Sequence, residues 1–283
     1  MILREPCLPP GWYPRNRVEI SKFLEPYKNG ASSPGENLSG FSAAAMAPHA
    51  GWYYSGQTAA FAVSSLEREA ETVAVIGGHL PRGMPVLLAA EEGVKTPFGA
   101  MSIDQELREK FKKQIETAPD RYKDNTVEVL LPMVHYFFPK ADLLWLRFPA
   151  ELSSFEAGKI LAETSQNLGR RIAVLASTDL THYGVNYGFS PRGRGKPALD
   201  WVKEVNDADF IAAVLEGDPS LVLKQAEENS SACSAGAVLG ALGFTAAMGE
   251  TPRRLLDYRT SADADGEGEI PDSFVGYAAV AFG

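Results

Sequence analysis

Ala47-Pro48-His49-Ala50-Gly51-Trp52-Tyr53-Tyr54-Ser55-Gly56 is the stretch that decides the fold. It follows an apolar run, Phe41 to Met46, that reads as a buried strand. It precedes Gln57 to Ala70, which has helical spacing. His49 therefore falls where a strand ends and a helix is about to begin. In open α/β sheets, ligands gather at the carboxyl ends of strands. Pro48 sets the entry angle, and Gly51 and Gly56 let the backbone turn sharply.

Outward from this stretch, the same punctuation recurs. The chain has four histidines and two cysteines. His79 follows the apolar run Thr72 to Gly78, and His182 follows Ile172 to Thr181. Cys233 opens a helix of small residues, Cys233 to Met248. Further strands are expected at Pro85–Ala90, Asp142–Phe148, Arg253–Ser261 and Phe274–Phe282. Helices are expected at Asp104–Ala118, capped by Asp104, and at Val127–Phe138. Another is expected over Ser153–Leu168, with Ser153 and Ser154 as cap candidates, and others from Ala198 and from Pro219. Tyr187 to Lys196 reads as a mobile loop and Asp263 to Glu269 as an acidic surface loop. Residues 1–40 carry six prolines and a short helix at Val18–Tyr27, which suggests an arm packed on the rest. Alternating strands and helices predict a single α/β/α layered domain over 1–283. The short loop between the last two strands predicts a mixed central sheet.

Composition narrows the function. The 283 residues hold 27 Lys plus Arg against 36 Asp plus Glu, a net charge of −9, which disfavours generic nucleic-acid binding. No apolar run reaches the roughly 18 residues of a membrane helix, and Met1 to Pro6 lacks a signal-peptide apolar region. Cys7 and Cys233 show neither finger nor disulfide-framework spacing. A reduced, cytoplasmic protein is expected.

The quoted blocks also carry a resemblance. The stretch 47–56 resembles the signature of the Memo family, whose bacterial and archaeal branch is called AmmeMemoRadiSam system protein B. Pro9 to Pro14, Thr96-Pro97-Phe98-Gly99 with Asp104, Ser177 to Tyr183, Tyr258 to Ser261 and Val275 to Ala278 resemble further blocks of that family, in order. The resemblance implies a fold like the class III extradiol-dioxygenase (LigB-like) proteins. It also implies a metal site of two histidines and one cysteine.

His49, His79 and Cys233 are the candidate metal ligands; imidazole and thiolate suit iron, copper and zinc. Asp179 and His182 form a candidate proton-handling pair, which the resemblance places in the cleft. Trp52 and Tyr54 are plausible cleft walls. His135, inside an apolar helix, reads as structural, and Glu128 matches a family carboxylate. The expected activity is metal-dependent redox chemistry with Fe(II), copper and zinc being the alternatives. A small molecule or a peptide would occupy the cleft, and the family name points to a radical-SAM neighbour protein. A non-catalytic binding module and a zinc hydrolase are the other readings. Catechol cleavage is not expected, because Cys233 stands where ring-cleaving sites use a carboxylate. The chain departs from the family at Asp124-Asn125-Thr126, where Glu-His-Ser is usual. It departs again at Gly77-Gly78, where the family has Pro-Ser or similar, and at Ser234, where Gly is frequent.

Overall fold

The computed structural model describes residues 1–28, 42–249, 252–264 and 269–283. In chain order they form β1 (Leu3–Arg4), α1 (Arg17–Leu24), β2 (Ala44–Ala47), α2 (Trp52–Ser65), β3 (Thr72–Leu80) and β4 (Val86–Leu88). Next come β5 (Gly93–Thr96), β6 (Gly99–Ser102), α3 (Gln105–Lys112), β7 (Thr117–Pro119), α4 (Asn125–Glu128) and α5 (Leu131–Phe137). They are followed by β8 (Asp142–Pro149), α6 (Ser153–Asn167), β9 (Ile172–Ser177), β10 (His182–Gly184) and α7 (Lys196–Trp201). A π-helical turn, Val202–Asn206, leads into α8 (Asp207–Glu216), α9 (Pro219–Asn229), α10 (Ala235–Met248), β11 (Arg253–Thr260) and β12 (Ser273–Phe282).

The large sheet has the order β10-β12-β2-β9-β3-β8-β4-β7, with β11 also paired to β12. Its middle, β2-β9-β3-β8, is parallel. Antiparallel pairs enter at β12 on one side and β4 on the other. The sheet is thus mixed, as the short closing loop predicts. Alternate residues of the middle strands face two separate cores. Met46, Ile76 and Val174 pack with α6, α8 and α10, whereas Ala45, Val75 and Leu175 pack with α1, α2 and α5. Burial on both faces is why these strands read as unbroken apolar runs. Helices on both faces give the α/β/α layering. Among the described residues, no helix is long and apolar enough to cross a membrane.

Several boundaries differ from expectation. Phe41, residues 29–40 of the proposed arm and 265–268 of the acidic loop lie outside the described residues. Helix α2 begins at Trp52, five residues before the expected start. The helix expected over Val127–Phe138 is two, α4 and α5, because Pro132 has no N–H to bond back to Glu128 and sits in the first turn of α5. Helix α3, capped by Asp104 as expected, stops at Lys112. The following Thr117–Pro119 instead adds an edge strand to β4. Neither Ser153 nor Ser154 caps α6: Ser154 Oγ donates to the Pro149 carbonyl at 2.6 Å and Ser153 Oγ to Glu151 at 2.5 Å. The Tyr187–Lys196 loop is pinned, with Arg192 N donating to the Tyr183 hydroxyl and that hydroxyl to the Gly193 carbonyl, each at 3.0 Å. Cys233 precedes α10 instead of opening it.

Candidate metal centre

Of three neighbouring parallel strands, β2 and β9 end level with each other and β3 runs on a few residues past them. Ala47 of β2 pairs with Ser177 of β9, and Ile76 of β3 with Ala176 of β9. The chain leaving β2 carries His49, the chain leaving β9 carries Asp179, and the end of β3 carries His79. The segment before α10 is tied down over them. Cys233 N donates to the Asp179 carbonyl at 3.2 Å, and Ser234 N to Thr178 Oγ1 at 3.1 Å.

Nitrogens of His49 and His79 and the sulfur of Cys233 lie within 4.8 Å of one another. Cys233 Sγ is 3.3 Å from His49 Nε2, and the two imidazoles meet edge to face with centroids 5.0 Å apart. Each histidine has an outer partner on Nδ1. His49 Nδ1 is 2.8 Å from Ser177 Oγ, and His79 Nδ1 is 3.5 Å from Asp124 Oδ2. That leaves both Nε2 lone pairs for a common ion, the usual arrangement of metal-bound histidines. Two imidazoles and a thiolate are a donor set for iron, copper or zinc, so the residues fit such an ion. His79 lies within β3, not after it. It has a φ of +57°, at a bulge between Gly77 and Leu80. Bulges re-aim side chains, and a bulky residue at positive φ is strained.

The electrostatics of the cluster favour an anionic sulfur. Burial opposes ionisation of Cys233, but His49 and His79 outweigh it and bring its pKa well below the ordinary thiol value. Burial likewise disfavours charge on the histidines. Asp179 and Cys233 outweigh it at His49, and Asp124 and Cys233 raise His79 to about 10. Asp124, despite burial, is held far below the usual carboxylate range by His79 and Arg147. Asp179 is pushed up, chiefly by burial.

Asp179 and His182 both line a cavity of about 570 Å³ beside the cluster, with Trp12, Tyr54, Tyr187, Tyr277 and Asn125. They do not pair with each other there. Asp179 accepts the His49 backbone N–H at 2.7 Å, and its other oxygen is 3.9 Å from His49 Nε2. His182 Nδ1 is 3.0 Å from the Leu180 carbonyl, which makes Nδ1 the donor and leaves Nε2 the basic nitrogen. Tyr54 is a cleft wall; Trp52 lies behind it in the core, its indole N–H donating to the Val129 carbonyl at 2.9 Å. His135 pairs with Thr96 Oγ1 at 2.6 Å, away from the cluster. Glu128 accepts from the Cys7 and Leu8 amides and the Tyr13 hydroxyl, and so fastens the N-terminal segment.

Sequence reasoning missed Asp124, Ser177 and Arg147 as supports of the site. Arg147 was visible as a lone charge in the apolar strand Leu143–Phe148. Two of the departures from the family pattern meet in space: a Cβ at Gly78 would overlap the side chain of Ser234. Asn125, a third, donates its side-chain amide to the His49 carbonyl at 2.8 Å.

Fold and site together define a layered α/β protein with a His/His/Cys cluster at the carboxyl edge of its parallel strands. Residues 4–281 match the Memo-like protein family, and the chain belongs to it. It is 28% identical to the MEMO1 family protein PYRAB05390 of Pyrococcus abyssi over 99% of both chains. It is 29% identical to a MEMO1 family protein of Methanosarcina mazei over 99% of both. Against the MEMO1 family protein PF1638 of Pyrococcus furiosus it is 30% identical over 84% of this chain and 85% of that one. The fold is also similar to the crystal structure of uncharacterized protein JW3007 from Escherichia coli K12. That match has a TM-score of 0.50 at 16% identity and covers 85% of this chain and 99% of that one.

Proposed function

We propose that the protein is a metal-dependent oxidoreductase holding Fe(II), with copper or zinc as the alternatives, on His49, His79 and Cys233. The observation that carries this reading is the convergence of three ligand atoms within 4.8 Å, each histidine already turned by a partner on its other nitrogen. A bound redox ion would supply single-electron exchange. The protein's own part is to position substrate and move protons. His182, which lines the cleft, takes a proton from the substrate there on Nε2; Asp179 accepts the His49 backbone N–H and so fixes one ligand. A small molecule or peptide enters between Tyr54 and Tyr187. Catechol cleavage is not proposed, because thiolate replaces the carboxylate of ring-cleaving sites.

Metal analysis of protein purified without oxygen or chelator tests the reading; about one Fe or Cu per chain is expected. His182→Ala should keep the metal and lose turnover, because the base in the cleft is gone. Absence of bound metal under several loading conditions would overturn the proposal. Zinc with hydrolytic turnover would favour the hydrolase, and metal without turnover the binding module. Yellow ring-opened product from protocatechuate, above the free-iron rate, would show that the third ligand has been misjudged.

A further inference from the structure

Arg147 stands in the middle of β8 with its side chain fully buried. Its guanidinium reaches two parts of the His79 environment at once. Nη1 and Nη2 hold the two Asp124 oxygens at 2.8 and 2.7 Å, and Asp124 is the partner of His79 Nδ1. Nη1 also donates to the Gly78 carbonyl at 3.1 Å, on the peptide that leads into the positive-φ residue His79. Nε is anchored by Asp120 at 2.7 Å, and Asp120 is itself fixed by the Trp145 indole at 2.6 Å. Asp124 receives the amide of Thr126 as the cap of α4. One buried cation therefore binds the backbone before the histidine and the carboxylate behind its ring.

We infer that Arg147 is a positioning residue for the second histidine of the cluster: through Asp124 and the Gly78 carbonyl it holds His79 in its strained, ion-facing pose. The inference rests on the metal reading for its consequence but concerns only groups on this chain. Strained residues persist only where surroundings over-determine them, and Arg147 holds both sides of this one. Lysine cannot replace the arginine here. Its single ammonium cannot span Asp120, both Asp124 oxygens and a carbonyl, a task that needs a planar fork. Neither Arg147 nor Asp124 bonds to His49, whose ring is held by Ser177; His49 meets this side only through the His79 ring and the Asn125 amide on its carbonyl. Loss of Arg147 should therefore affect one histidine and spare the other.

The test compares wild type, Arg147→Lys and Asp124→Asn. Co(II) affinity is measured by chelator competition, together with the Co(II) ligand-field and thiolate absorption bands and metal-free crystal structures. Asp124→Asn keeps the buried Arg147–Asp120 pair, so it guards against a folding failure of Arg147→Lys. Losing an outer partner of a metal-bound histidine costs about 10–100-fold in affinity. Both variants should show that loss, shifted ligand-field bands, an unchanged Cys233 thiolate band and a displaced His79 ring. Equal affinity and unchanged bands in both folded variants would overturn the inference. If wild type takes up neither Co(II) nor Fe(II), copper or zinc, the metal reading fails on its own. The metal-free structures then decide: a displaced His79 in Arg147→Lys upholds the positioning role, and an unmoved one overturns it.

Discussion

The two histidines of the cluster are held in opposite ways. His49 follows a regular strand, is about 1% exposed, and is fixed by Ser177 on its ring and Asp179 on its backbone amide. His79 sits in a bulge at positive φ, is 36% exposed at its side chain, and is backed by the Asp124–Arg147 network. One side is a product of strand register and burial. The other is local strain opposed by a buried ionic network. The difference shows that a symmetric-looking pair of candidate ligands can have separate points of failure.

The largest effect should come from removing ligands on either side. His49→Ala and Cys233→Ala should each lose metal by more than the roughly 100-fold upper range for an outer partner. Isothermal titration with Co(II) checks this. If His49→Ala retained affinity, the regular side would not be part of the site.

Behind the His49 side, Asp207 receives the Thr181 amide at 3.1 Å and the Tyr258 hydroxyl at 2.8 Å, and so holds the turn from Thr178 to His182. Burial pushes its pKa up from 3.8 to about 7. Between those values the folded chain binds the proton and the unfolded chain does not. This contribution is therefore complete below about pH 4 and is lost as pH rises through 7. Asp207→Asn should remove that fall, which amounts to a few kcal/mol at most. The difference in urea midpoint between wild type and variant, followed from pH 4.5 to 8, should move in the variant's favour as pH rises.

The His79 side closes on Cys233 through Gly78 against Ser234. Gly78→Ser should destabilise by about 1–3 kcal/mol, as overpacking does. Adding Ser234→Gly should recover most of it, a coupling that a double-mutant cycle in urea would measure. Additive losses would mean that the two positions do not share the space. Smallest of all, Ser177→Ala removes only one neutral partner of His49. It should cost about 1 kcal/mol of stability by denaturant melts and less affinity than Asp124→Asn. A greater loss at Ser177 would reverse the comparison between the two sides.

The sequence made His49, His79 and Cys233 stand out because each lay beside an apolar run or a small-residue helix. It also marked the blocks that place the chain in the Memo-like family. Strand alternation between two cores was implicit in the unbroken runs Ala43–Ala47 and Ile172–Ala176. The break at Val129–Leu130 and the edge strand at Thr117 were not legible. They depend on one proline's missing donor and on an open neighbour at β4.

By itself, then, the chain determined an α/β layering and singled out His49, His79 and Cys233 as candidate ligands, because periodicity and residue type are local properties. Only the tertiary structure decided that Asp179 serves His49 and does not pair with His182, that Asp124 and Arg147 stand behind His79, and that Gly78 and Ser234 fill one space. Those are contacts between residues roughly 20 to 160 positions apart. They are set by strand register and by packing at close range, to which hydrophobic spacing along the chain is blind.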